Sequence, residues 1–154
     1  MNVPVVFDTV YGNTEQLGRA IAGAVGSGFS VRLERSDRFR RIDAQGIELL
    51  IVSGPTHRQR MSMTLKAVLE GTPRGALKGV KVAAFDTRYR MNTWLSGSAA
   101  RRISRHLRKL GARLVVPPES FFMERDVPEE PDRNFCQDAL VSAPSHLAHA
   151  KQWL

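Results

Sequence analysis

The sequence predicts an open, doubly wound α/β fold: five parallel strands in the order 2-1-3-4-5, with helices on both faces. Three observations carry that prediction. Apolar, strand-like runs alternate with helix-like periodic segments along the chain, the pattern of successive βαβ units. The runs 47–52 and 80–85 are nearly continuous in apolar residues, as strands covered on both faces are. By contrast, Phe29, Val31 and Leu33 alternate with polar residues, which suits an edge strand with one buried face. An edge position for this second strand, with the first and third strands central, favours the 2-1-3-4-5 order, one of the two common in doubly wound sheets.

The first strand is Val3-Pro4-Val5-Val6-Phe7, and after it Leu17, Ala20, Ile21, Ala24 and Val25 recur at helical spacing. The third strand, Ile47 with Leu49 to Val52, leads to a helix expected over Met61 to Glu70, with Leu65, Val68 and Leu69 apolar and Gly71 at its end. Met61 and Met63 read as ordinary core and helix-start residues. Val80 to Phe85 forms the fourth strand. Ser98 to Leu110 then carries Ala99, Ile103, Leu107 and Leu110 on one face, with Gly111 placed as a C-terminal cap. Arg113 to Val116 begins the last strand, which Phe121-Phe122-Met123 continues beyond the rigid Pro117-Pro118; these three read as core, the alternative being an exposed apolar patch for self-association. Pro144 interrupts the remaining segment, so a final helix is expected from Pro144 or Ser145, burying Leu147, Ala150 and Trp153 or Leu154.

At 154 residues the chain is expected to form one domain, 1–154, with a full hydrophobic core. No run of about 18 apolar residues is present, so no transmembrane helix is expected. No secretory signal is visible at the N-terminus, and the lone Cys136 rules out an internal disulfide and a cysteine-ligated metal site. Together these point to a cytoplasmic protein. Lys and Arg exceed Asp and Glu by eight, which directs attention to acidic partners. The excess is mostly arginine, in clusters at Arg35 to Arg41, at Arg58 and Arg60 with Arg88 and Arg90, and at Arg101 to Lys109. The last cluster decorates the polar face of a helix, for which a solvated face is the simpler reading. It lacks interleaved aromatics, and no nucleic-acid-binding signature is present, so nucleic acid is disfavoured.

Three loops should meet at the carboxyl ends of strands one, three and four, where doubly wound sheets bind ligands. The first, Thr9-Val10-Tyr11-Gly12-Asn13-Thr14-Glu15, lies between a strand and a helix N-terminus. The leading N–H groups of a helix have no internal acceptor, and its dipole favours an anion there. Thr9, Asn13 and Thr14 add side-chain donors, and Gly12 permits a turn that a Cβ would hinder. The alternative is a polar turn whose Asn13 or Thr14 simply caps the helix. The second loop is Ser53-Gly54-Pro55-Thr56-His57-Arg58, and the third runs from Asp86 through Thr87, Arg88, Tyr89 and Arg90 to Trp94.

On these loops the chain resembles the flavodoxin-like family. Thr9-x-x-Gly12-Asn13-Thr14-Glu15 is similar to its FMN phosphate loop, Gly54-Pro55-Thr56 followed by a ring to its second flavin loop, and Tyr89 and Trp94 fall where an aromatic commonly covers the isoalloxazine. The site of FMN, at the switch point between strands one and three, is the flavodoxin example itself and comes with the resemblance. The resemblance implies an FMN-binding, electron-transferring protein. Thr9, Val10, Tyr11, Gly12, Asn13 and Thr14 would hold the phosphate. Pro55, Thr56 and His57 would line one side of the ring, and Thr87, Arg88, Tyr89 and Trp94 the other.

Two departures stand out. His57 occupies a position where many members carry a larger aromatic, and the chain is basic where electron-transfer flavodoxins are acidic. The partners implied are redox proteins, with acidic ones admitted by the charge. An arginine such as Arg88 near the flavin would favour its anionic reduced form and make the potential less negative. Two other readings remain: a reductase using NAD(P)H directly on a quinone-type acceptor, and a binding module of the same fold without flavin. No protein nucleophile, catalytic triad or metal site is expected.

Overall fold

The computed structural model describes residues 2–10, 12–25, 30–56, 61–89 and 97–123. Its order is β1 (Asn2–Phe7), α1 (Asn13–Val25), β2 (Ser30–Arg35), β3 (Leu49–Pro55), α2 (Met63–Gly71), β4 (Lys81–Tyr89), α3 (Ala99–Lys109), β5 (Arg113–Leu114) and β6 (Glu119–Met123). A single 3-10 turn, Ser36–Arg38, follows β2. The strands pair in parallel in the order β2-β1-β3-β4-β5. β6 also pairs in parallel with β4, further along it. β5 and β6 are therefore two halves of one interrupted fifth strand. The break falls at Pro117-Pro118, since proline has no N–H to give to a ladder. The 2-1-3-4-5 order read from the sequence is the order observed.

Strand alternation sorts the core onto two faces. Val6, Leu50, Val52, Val82 and Ala84 pack with Leu65, Val68 and Leu69 of α2 and Ala99, Ile103 and Leu107 of α3. Val3, Val5, Leu49, Ile51, Ala83 and Phe85 face the other way, with Leu17 of α1 and Phe121. Phe121 is core, its ring edge-on to Phe85 with centroids 5.7 Å apart. Leu50, Leu65, Leu69, Ile103 and Leu107 are fully buried, each contributing roughly 1.5–3 kcal/mol. β2 has no fully buried residue, as befits an edge.

Element ends depart from the sequence reading where side chains bond to backbone. α2 begins at Met63, not Met61, because Ser62 Oγ accepts from Leu65 N–H at 3.2 Å and caps the helix. Met61 is buried, and Met63, 75% exposed, is the helix-start residue of α2. β4 runs to Tyr89, four residues past the apolar run, because neighbours on both sides hold it: Gly54 and Pro55 pair with Asp86 and Thr87, and Thr87 pairs with Phe121. α3 is capped by Ser98, whose Oγ accepts from Arg101 N–H at 3.2 Å, and Gly111 follows it at φ 94°. The expected C-terminal helix, with Leu147 and Trp153, lies outside the described residues, as does Cys136. Among the described residues no helix is long and apolar enough to cross a membrane.

The 36–48 connection packs against the end of α2. A Cβ on Gly71 would stand 2.5 Å from the Arg40 carbonyl oxygen, a backbone atom that cannot swing aside. Gly71→Ala is expected to lower stability by about 1–3 kcal/mol through overpacking. A urea midpoint that falls with an unchanged m-value would verify it; no fall would show that the connection yields.

Candidate functional site

At the carboxyl ends of β1, β3 and β4 the chain brings together much of what its sequence suggested. The β1–α1 loop is shaped by its own polar groups. Asp8 N–H donates to Ser53 O at 3.1 Å, tying the end of β1 to β3. Asp8 Oδ1 accepts from Thr9 N–H, and Thr9 Oγ1 accepts from Gly12 N–H, both at 2.8 Å. Gly12 takes φ +83° with open space where a Cβ would stand. Its carbonyl receives Gln16 N–H at 3.0 Å, the first bond of α1. The amides of Asn13, Thr14 and Glu15 therefore precede the first intrahelical donor, and they have no acceptor among the described residues. Thr9 has used its oxygen as an acceptor but keeps its hydroxyl hydrogen to donate. The Val10 side chain is 57% exposed. Nearby, Glu15 is engaged by Arg19 at 2.7 Å, which leaves Asp8 as the like charge an anion in this loop would meet.

The N-terminus of α3 is different: it is closed. Asp86, fully buried, accepts through Oδ2 from Ala100 N–H at 2.9 Å, Ser98 Oγ–H at 2.8 Å and Thr56 Oγ1–H at 3.0 Å. Thr56 Oγ1 in turn accepts from Ala99 N–H at 3.0 Å. With Arg101 N–H on Ser98, the first three amides of α3 are all satisfied by side chains. Those donors and the positive end of the helix dipole compensate the buried carboxylate. Its Oδ1 has no hydrogen-bond partner among the described residues.

Several predicted contact residues thus turn out to brace the site. Thr56 spends its hydroxyl on Asp86 and Ala99, and its N–H on Thr87 O at 2.9 Å. Thr87 and Thr14, both buried, share a hydroxyl–hydroxyl bond of 2.8 Å that pins the first turn of α1 to β4. Arg88, half-buried, donates from Nη1 to Gly97 O at 2.8 Å, joining the end of β4 to the chain entering α3. Thr87, Arg88 and Tyr89 belong to β4 rather than to a loop, and Pro55 ends β3. Tyr11, His57 and Trp94, like Arg58 and Arg90, lie outside the described residues, as does the side chain of Tyr89. Asp86 and Ser98 were not singled out as site residues in the sequence. Ser98 could have been found as a helix N-cap, and Asp86 as an acid closing an apolar strand run. Among the described residues no cluster of His, Cys, Asp or Glu could hold a metal ion.

No protein-family model matches the chain, and no curated protein matches it in sequence. Solved structures do match in fold. A flavodoxin from the domain Archaea superposes with a TM-score of 0.68 at 18% identity, over 98% of this chain and 99% of that one. Oxidised flavodoxin 1 from Bacillus cereus gives 0.72 at 15% identity, over 97% and 99%. Rubredoxin oxygen:oxidoreductase from Desulfovibrio gigas gives 0.69 at 16% identity, over 98% of this chain but 36% of that larger one. The chain has the flavodoxin fold.

Proposed function

We propose that the chain binds FMN at the carboxyl end of its sheet and carries electrons between redox proteins, residues 1–154 acting as one FMN-binding domain. The observation that carries this reading is the contrast between its two helix N-termini at that end. Thr56, Asp86 and Ser98 occupy the amides of α3, whereas those of Asn13, Thr14 and Glu15 at α1, beside Gly12, have no acceptor among the described residues. An anionic group is accommodated at the second and excluded from the first.

The donor set fits a phosphate monoester: open amides, the Thr9 hydroxyl and the Asn13 side chain, around a glycine turn. Thr9, Val10, Tyr11, Gly12, Asn13 and Thr14 form this cradle, with Thr14 acting through its backbone while its hydroxyl holds β4. Pro55, Thr56 and His57 border the ring on one side, and Thr87, Arg88, Tyr89 and Trp94 on the other. In that arrangement Thr56 and Thr87 set the spacing of the walls through their mutual backbone bond. FMN, when bound, supplies one- and two-electron chemistry, while the protein orients it and tunes its surroundings.

The absorption spectrum of the purified protein tests this reading. Bands near roughly 375 and 450 nm, as for a bound oxidised flavin, are expected, either as purified or after adding FMN. A protein that stays colourless and takes up no FMN would leave a flavin-free binding module of this fold. Rapid bleaching by NADPH alone would instead identify a reductase.

A further inference from the structure

We infer that the exposed face of α3, with the turn before β4 and the start of β5, is a docking surface for an acidic protein partner. The inference takes its purpose from the electron-carrier reading, but the surface stands on observations of its own.

The first is where the charge lies. Residues 71–85 and 98–118 hold nine of the 23 Lys and Arg and none of the 15 Asp and Glu. The rest of the chain has fourteen cations against fifteen acids, so the whole excess of +8 belongs to these two stretches. The fold then joins them. Leu77 N–H donates to Leu110 O at 3.1 Å, a Cβ on Gly111 would touch the backbone of Gly75 and Lys78 at 3.4 Å, and Lys81 pairs with Arg113 in the β4–β5 ladder.

The second is how the cations are presented. Arg101, Arg102, Arg105, Arg108 and Lys109 are all exposed, while Ala99, Ala100, Ile103 and Leu107 bury the opposite side of α3. At about 100° per residue the five fall within a single arc of roughly 120°. None of them makes an ion pair with another described residue. Their mutual repulsion is a standing cost that an acidic partner would relieve. Four of the five are arginines, whose planar fork binds a carboxylate through two parallel hydrogen bonds.

The third is continuity with the candidate site. Arg101 directly follows Ala99 and Ala100, whose amides bond Thr56 and Asp86 at the carboxyl end of the sheet. From there the stripe runs down the eleven residues of α3, about 16 Å. An acidic protein lying along it would have one end beside the proposed cofactor. Such an encounter suits the small, transient interfaces of redox proteins. Nucleic acid is less well matched, because one convex helix face offers neither a groove nor the aromatic platforms that bases stack on.

The test uses the full chain and two labelled probes, a poly-L-glutamate peptide and a random-sequence DNA duplex, read by fluorescence anisotropy. Two variants carry equal charge changes: Arg101→Glu with Arg105→Glu and Arg108→Glu, and, as control, Arg38→Glu with Arg40→Glu and Arg41→Glu. The three control arginines are also exposed. At low salt the α3 variant is expected to bind polyglutamate at least about tenfold more weakly than the control variant does. Equal weakening in both would overturn the inference, since binding would then follow net charge alone. DNA binding tighter than about 1 µM at physiological salt, lost in the α3 variant, would overturn it in favour of nucleic acid, being beyond the usual non-specific range. Circular dichroism on both variants checks that each is folded, and Arg101→Gln, Arg105→Gln, Arg108→Gln replaces the reversal if it is not. The outcomes separate from those of the FMN test. A colourless chain that binds polyglutamate through α3 keeps the surface and loses the cofactor, and a yellow chain whose variants weaken alike does the reverse.

Discussion

Replacing Asp86 by alanine is expected to destabilise the fold by about 3–5 kcal/mol, the largest effect of any single polar substitution at this end of the sheet. The carboxylate is fully buried and its Oδ2 serves three donors from two segments, Thr56 on one side and Ser98 and Ala100 on the other. Alanine would leave the Ala100 amide and two hydroxyls without that acceptor, and with it the two side chains that cap the neighbouring amides of α3 would lose their anchor. Thermal unfolding should show it as a loss on the order of 10 °C for a chain of this size. Asp86→Asn should cost less, because the amide oxygen still accepts, but the charge facing the helix N-terminus is gone. A melting temperature that moves by less than a couple of degrees in the alanine variant would mean that water replaces the carboxylate without loss.

The second large effect is a preference for FMN over riboflavin, which lacks the phosphate. If that group lies on the open amides of α1, two or more charge-assisted hydrogen bonds separate the two ligands. At roughly 1.5–3 kcal/mol each, these amount to at least about 100-fold in Kd. Flavin fluorescence titration of the apoprotein reads both constants. Gly12→Val should narrow the gap by weakening FMN while leaving riboflavin nearly unchanged. Valine is strained at φ +83°, so the turn that presents the amides would shift, although space for the side chain itself is open. Riboflavin binding within a few-fold of FMN would remove the phosphate from this loop.

The two predictions concern the two helix N-termini, and these were unequally legible in the sequence. The α1 loop could be read directly, because strand, loop and helix are consecutive and the unsatisfied amides follow from helix geometry alone. The α3 terminus could not. Its three acceptors come from Thr56, Asp86 and Ser98, and only the pairing of β3 with β4 brings the first two together. Thr56 and Thr87 were read as ligand contacts for the same reason. Both are polar residues at strand ends, and their commitment to Ala99 and Thr14 depends on partners up to 73 residues away.

The edge position of β2 and the two-faced core were determined by the sequence itself, because burial on one or both sides of a strand writes its own hydrophobic pattern; the full strand order is the flavodoxin example and came with the resemblance. The break in the last strand was legible too, since proline removes a donor wherever it stands. The pattern of charge was partly so: Arg101 to Lys109 could be seen as one helix face, but not that Arg74, Lys78 and Arg113 extend it. Only the tertiary structure decided which polar groups are spent internally and which stay available. Hydrogen-bond partners are chosen by register and packing, and neither is encoded in local spacing. That choice closes α3 and, among the described residues, leaves the first amides of α1 without an acceptor.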